Sequence, residues 1–219
     1  MTTSSAPAFA DGERPTKSPF SEQLPPGYPA ELECELHLDD GRCVRVRPIL
    51  PTDAPALADA IAHADPQTIR LRFLGGTAPH DDALVRYLVE VDYRWRLALV
   101  ALDADGRGLA VARYEGSPGQ DSAEVAVTVA PGWRRVGLGS RLLAVLASAA
   151  VRRGIRHLTA IYLVENHDVA GLVQASGLPH RTRWSMGVAE TEIDLCPFLV
   201  GAAAADLTAP SEARRTDQQ

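Results

Sequence analysis

A chain of 219 residues with 46% hydrophobic but only 5% aromatic side chains can close one core of ordinary domain size, built from Ala, Val, Leu and Ile, with little room for a second domain. Its formal net charge of -6 excludes the nucleic-acid backbone as a main partner, because phosphate binding needs a surplus of clustered Lys and Arg. No stretch approaches the roughly 18 apolar residues of a membrane span, and Met1 to Ala30 shows no apolar segment behind a basic start, so the expectation is a cytoplasmic protein with no membrane or nucleic-acid partner.

Residues 1–30 are crowded with Ser, Pro, Thr, Gly and charge and have no hydrophobic period, so they cannot repay the entropy of ordering; residues 200–219 read the same way. The domain is expected over 31–199. It opens with Glu31 to Leu38 and Cys43 to Arg47 around Asp39-Asp40-Gly41, a hairpin pattern. Cys34 and Cys43 could face each other across it, although three cysteines without paired spacing read as reduced thiols. Pro51-Thr52-Asp53 starts a helix with Leu57 and Ile61 at helical spacing, and Thr or Asp as the capping residue. Further helical runs cover about Pro66 to Phe73 and Asp81 to Val91. Strands follow at Leu97 to Asp103, Leu109 to Glu115 and Ala123 to Val129, with glycine turns between. Gly137 to Arg153 is an amphipathic helix ended by Gly154. His157 to Leu163 is an apolar strand, Asn166 to Ser176 a helix, and Arg181 to Met186 with Val188 to Leu195 a final pair of strands. Strand and helix alternation after an antiparallel run predicts a mixed α/β sheet with one parallel crossover.

One segment concentrates chemistry. The β-branched strand Val125 to Val129 runs through Pro131-Gly132 into Arg134-Arg135-Val136-Gly137-Leu138-Gly139-Ser140 and straight into the long helix. The first turn of a helix leaves its amides without partners and carries partial positive charge, and Gly137 and Gly139 let the backbone approach a ligand closely. Arg134 and Arg135 add charge, so the ligand implied is a pyrophosphate. A dinucleotide fingerprint would need a third glycine where Leu142 stands, and a P-loop would need Gly-Lys-Ser/Thr.

Arg134, Gly137 and Gly139 match each fixed position of the Arg/Gln-x-x-Gly-x-Gly/Ala motif, and here the sequence resembles the GNAT superfamily of N-acetyltransferases. Asn166 opening a helix that ends at Gly177-Leu178 resembles its second motif. The resemblance spans about Cys43 to Leu195, with Val46-Arg47-Pro48-Ile49 leading to Asp53 similar to the usual opening. Arg70-Leu71-Arg72-Phe73, Val91-Asp92-Tyr93 and Ala123-Glu124-Val125-Ala126 resemble the Pat-type bacterial protein lysine acetyltransferases. What this implies is a GNAT-like, mostly antiparallel mixed sheet flanked by helices, with a central strand-loop-helix site for acetyl-CoA.

The resemblance further implies that Val127 and Val129 pair with the pantetheine arm through their main chain, that an amide near Val127 meets the thioester carbonyl, and that Asn166 touches the cofactor, although a helix cap explains Asn166 equally well. A lysine amine, with a pKa near about 10.4, needs a base. Glu124, in an otherwise apolar strand where desolvation would make it a competent proton acceptor, is the candidate and matches the Pat-type catalytic glutamate. Many relatives carry a Tyr where Val173 stands, which leaves the general acid unassigned. Tyr162 and Tyr93 could substitute, or serve as core aromatics. The six histidines show no ligand spacing, and no metal is expected. Arg181 and Arg183 could face an acidic substrate or form a solvent face. The function expected is acetyl transfer to an amine, a protein lysine first, with a small-molecule amine or a catalytically weak CoA-binding sensor as the alternatives, in a monomer or homodimer.

Overall fold

The computed structural model describes residues 24–76 and 81–197; residues 1–23 of the predicted N-terminal tail and the whole predicted C-terminal tail fall outside them. The hairpin forms as its Asp-Gly turn requires. Strand β1 (Cys34–His37) returns as β2 (Cys43–Pro48), Leu38 N-H donates to Arg42 O at 2.8 Å, and Gly41 takes φ +86°, a conformation that favours glycine. The register sets Cys34 against Val46 and Cys43 against His37. The two cysteines therefore do not face each other, and all three are free thiols. The folded body reaches upstream of residue 31: Tyr28 packs edge-on to Tyr93 with ring centroids 5.6 Å apart, and burial together with its hydrogen bond to Glu33 raises the Tyr28 phenol well above its usual value.

Three short helices follow: α1 (Ala54–Ala62), α2 (Pro66–Arg72) and α3 (Asp82–Val89). All are too short to stand alone in water, so docking and caps hold them. Asp65 caps α2 through the Thr68 amide at 2.9 Å, and Asp81 caps α3 through the Ala83 amide at 2.8 Å. Pro51–Asp53 is instead a 3-10 turn. The Asp53 carboxylate does not cap α1: it accepts two 2.7 Å bonds from Arg47 and one of 2.8 Å from the Leu50 amide. Its role is to fasten the β2 exit and not, as expected from Pro51-Thr52-Asp53, to cap a helix.

The antiparallel run continues through β3 (Arg96–Leu102), β4 (Gly108–Gly116) and β5 (Ser122–Val129). Then come α4 (Leu138–Arg152), β6 (His157–Leu163), α5 (His167–Ala175), β7 (His180–Ser185) and β8 (Val188–Asp194). The eight strands form one sheet in the order β1-β2-β3-β4-β5-β6-β8-β7. β5 and β6 pair in parallel, which the helix between them makes possible. Leu138, Leu142 and Leu146 on α4 are at most 1% exposed, and they pack with Leu99, Tyr114 and Leu158 of the sheet in one core. Each such leucine contributes roughly 1.5–3 kcal/mol by leaving water. Ala147, Ala149 and Ala150, also buried, let α4 lie close to the strands. Gly154, at φ +89°, ends it: Gly154 N-H bonds Val151 O and Ile155 N-H bonds Ala150 O, a Schellman stop with the apolar residue after it buried. The opposite face of β2–β4 is covered by a smaller cluster of Ile49, Val89, Ala98 and Val100. Among the described residues no helix is long and apolar enough to cross a membrane.

Candidate functional site

The sheet opens where its parallel pair ends. β5 and β6 are paired over Ser122–Val125 with His157–Ala160. Past that point β5 continues against β4, with Val127 opposite Ala112 and Val129 opposite Ala110, and β6 continues against β8. The β5 edge over residues 126–129 thus faces β6 without a ladder partner, which suits an extended ligand able to bond a strand edge. A cleft of about 800 Å³ fills the gap, walled by residues 124–129, Ala160, Tyr162 and the facing sides of α4 and α5.

At its far end β5 runs through a 3-10 turn, Pro131–Trp133, into the glycine loop. Arg135 and Gly137 both adopt left-handed backbone, at φ +61° and +80°, and this reverses the chain so that α4 starts with its amides turned outward. The first amide bonded back into the helix is that of Arg141, to Gly137 O at 3.0 Å. Those of Leu138, Gly139 and Ser140 remain for an anion, reinforced by the positive end of a 15-residue helix. A Cβ on Gly137 would lie 2.6 Å from Asp39 Oδ2, whereas one on Gly139 would make only ordinary 3.5 Å contacts with Leu172. The φ of +80° makes Gly137 a demand of the backbone, a Cβ there would also displace the Asp39 carboxylate, and Gly139 keeps the cleft wall bare.

The β1–β2 hairpin braces this loop, which the sequence did not reveal. Asp39 N-H donates to Val136 O at 3.2 Å, and Asp39 Oδ1 accepts from Arg141 at 2.8 Å. The Arg42 guanidinium stacks 3.8 Å above the Trp133 ring and reaches the Gly132 carbonyl at 3.4 Å. Residues 39 and 141 are too distant in sequence for any local pattern to link them.

Most of the predicted site residues converge. Glu124, Val127, Val129, Arg134, Arg135, Gly137, Gly139, Ser140 and Asn166 all line the cleft. Val136 and Leu138 do not: the Leu138 side chain is buried in the core, and Val136 packs against that core with its carbonyl held by Asp39, so both can serve a ligand through main chain alone. Arg134 is less free than the sequence implied, since its Nε donates to Val129 O at 3.0 Å and its Nη2 to Thr68 Oγ1 at 2.6 Å. Asn166 caps α5, its Oδ1 accepting from the Val169 amide at 3.3 Å. Tyr93 donates to Ile49 O at 2.9 Å, and Tyr162 shares a 3.0 Å hydrogen bond with Thr191. Both hydroxyls belong to the core network, although the Tyr162 ring also walls the cleft.

The other end of the cleft is built from side chains. Glu124 is exposed, so the desolvation expected of an apolar strand is absent: the residue alternates away from its buried neighbours Ala123 and Val125 onto the open face of the sheet. Its cross-strand partner is Glu115, whose carboxylate is already engaged by Tyr87 Oη at 2.6 Å and Arg113 at 2.7 Å. Glu124 itself has no ion pair or hydrogen bond among the described residues. Arg113, only 5% exposed, was missed in the sequence, where a charge in a strand reads as solvent-facing. Burial pulls its guanidinium below its ordinary value against the opposing pull of Glu115. Arg72 of α2 lines the cleft beside Glu124 and is likewise lowered by burial, with Glu124 and Glu115 opposing. Arg181 and Arg183 are exposed and sit in register with Glu192 and Glu190, an arrangement of alternating charges on a solvent face.

The acetyltransferase (GNAT) family profile matches residues 66–178. An acetyltransferase of Pseudomonas aeruginosa is 32% identical over 143 residues, covering 64% of this chain and 77% of that protein. The acetyltransferase Pat of Mycolicibacterium smegmatis is 31% identical over 160 residues, covering 72% of this chain; the match spans 47% of that relative's length. Among solved structures, the GNAT domain of S. lividans PAT superposes with a TM-score of 0.71 at 28% identity, over 76% of this chain and 99% of that domain.

Proposed function

The chain belongs to the GNAT family of acetyltransferases, and from that premise we propose that it moves acetyl from acetyl-CoA to the side-chain amine of a protein lysine, with Glu124 as general base. The observation that carries the cofactor half is the divergence of β5 from β6, which leaves an unpaired strand edge leading to the free amides at the start of α4. An extended pantetheine arm satisfies the strand edge, and a pyrophosphate satisfies the amides.

The acceptor half rests on charge and access. Glu124 lines the cleft yet is exposed, and among the described residues its carboxylate is not taken up by an ion pair, whereas Glu190 and Glu192 of β8 face Arg183 and Arg181 outside the cleft. An exposed carboxylate at the open end of the cleft suits a cationic amine presented from a macromolecular surface. Glu124 accepts the ammonium proton, the amine attacks the thioester carbonyl, and main-chain amides of the free β5 edge, near Val127, stabilise the oxyanion. The C–N bond forms, the C–S bond breaks, CoA leaves as thiolate, and the second proton shed by the new amide nitrogen passes to that thiolate. Val173, buried against the cleft, supplies no acid at that step, and a thiolate leaves without one. That same residue favours the second reading, a CoA-binding module with weak catalysis.

The test is incubation of the protein with acetyl-CoA and, separately, a pool of lysine-bearing proteins or a panel of polyamines and amino sugars, reading CoA thiol release and acetyl-amine by mass spectrometry. Acetyl-lysine with matching thiol release supports the proposal. Acetylation of the small amines alone moves the acceptor to that class, and cofactor binding without transfer to either leaves the binding module.

A further inference from the structure

An arginine guanidinium carries five N–H donors in one rigid plane, and Arg134 spends only part of them on the protein. Its Nε and Nη2 are fixed by Val129 O and Thr68 Oγ1 at 3.0 and 2.6 Å, while Nη1 has no hydrogen-bond partner among the described residues. The hydroxyl of Thr68 gives its own proton to Asp65 Oδ2, and Asp65 Oδ1 takes the Thr68 amide at 2.9 Å. The direction of each bond is thereby settled. Arg134 donates to Thr68, Thr68 donates to Asp65, and a carboxylate ends the relay, with Asp65 Oδ2 3.9 Å from Arg134 Nη2. Both bonds from Thr68 hold the Asp65 carboxyl below its usual range.

This relay sits at the start of α2, which is tied across the cleft. Arg134 follows β5; on the other lip Glu165 follows β6 and pairs with Arg70 of the same helix. Leu71 and Arg72 of that helix then line the cleft beside Glu124. The first turn of α2 therefore touches the pyrophosphate loop, and its last turn touches the acceptor end.

We propose that Asp65 and Thr68 are positioning residues for the cofactor: they hold the Arg134 guanidinium with Nη1 presented to the pyrophosphate. The proposal rests on the reading of the cleft as an acetyl-CoA site. Its physical content is preorganisation, since an arginine held by two fixed acceptors loses less rotamer freedom when it meets an anion.

The experiment is calorimetric titration of acetyl-CoA into the wild type, Thr68→Val, Thr68→Ser, Arg134→Ala and the Thr68→Val/Arg134→Ala double variant, with thermal melting of each. Thr68→Val keeps the shape and the amide bond to Asp65. It is expected to raise Kd about five- to tenfold, with Thr68→Ser restoring near wild-type affinity and Thr68→Val adding nothing once Arg134 is gone. A merely structural role for Thr68 would add the same factor in both backgrounds, and that result overturns the proposal. So does a Thr68→Val Kd within about twofold of wild type. If Arg134→Ala binds like the wild type, the inference falls and the acetyl-CoA reading stands; if the wild type binds no acetyl-CoA, that reading falls and takes the inference with it.

Discussion

The two ends of β5 solve different problems with different materials. Over Ala126–Val129 the strand offers main chain: an unpaired edge, then a loop whose left-handed turns at Arg135 and Gly137 deliver free amides. Around Glu124 it offers side chains: a free carboxylate, a neighbouring Glu115 already committed to Arg113 and Tyr87, and Arg72 arriving from a separate helix. A main-chain site binds an invariant ligand by backbone geometry and tolerates many side chains. A side-chain site can be rewritten for a new acceptor without disturbing the first.

That contrast predicts separable effects. Glu124→Gln should cut kcat by about 10²–10³-fold with the acetyl-CoA Kd held within about twofold; a matching loss of binding would join the two ends again. Gly137→Ala should act in reverse. It forces a Cβ to within 2.6 Å of Asp39 Oδ2 at φ +80°. The predicted cost is about 1–3 kcal/mol of stability from backbone strain and a more than roughly tenfold weaker acetyl-CoA Kd from the displaced amides, measured by melting and calorimetry. Arg42→Ala, which removes the stack on Trp133, should cost roughly 0.5–1 kcal/mol of loop stability, seen as an acetyl-CoA Kd weakened about two- to fivefold, with the acceptor KM unmoved.

The smallest effect is in acid. The Asp65 carboxyl is held below its ordinary value by the hydroxyl and amide of Thr68. A depressed folded value stabilises the protein above the unfolded carboxylate pKa of about 3.9, and the contribution is lost as pH falls through the folded value. The stability gap between the wild type and Asp65→Asn should therefore narrow below about pH 4, as followed by thermal melting across that range.

What could be read from the sequence follows the same division. β6 lies at His157–Leu163 as predicted, and α4 lies within one residue of its predicted ends, because an unbroken apolar run and a 3.6-residue stripe closed by Gly154 are local signals. The glycine loop was legible for the same reason: Gly137, at φ +80°, answers a local backbone need. The contacts that join distant elements were not. Thr68 meets Arg134 across 66 residues, and Asp39 meets Arg141 across 102, and no periodicity encodes such pairs. Arg113 was passed over, and Glu124 was expected among its apolar neighbours, because strand alternation was read without knowing which face α4 would cover. The hairpin turn was right, yet its register separates Cys34 from Cys43, since a turn fixes where strands reverse and not every pair along them.

The most direct test compares calorimetric titrations of the wild-type protein with acetyl-CoA and with S-acetyl-pantetheine, which shares the thioester and arm but lacks the pyrophosphate. One-to-one acetyl-CoA binding, at least about a hundredfold tighter than the truncated thioester, is the predicted result. Equal affinity for the two, or no binding of acetyl-CoA, would contradict the account.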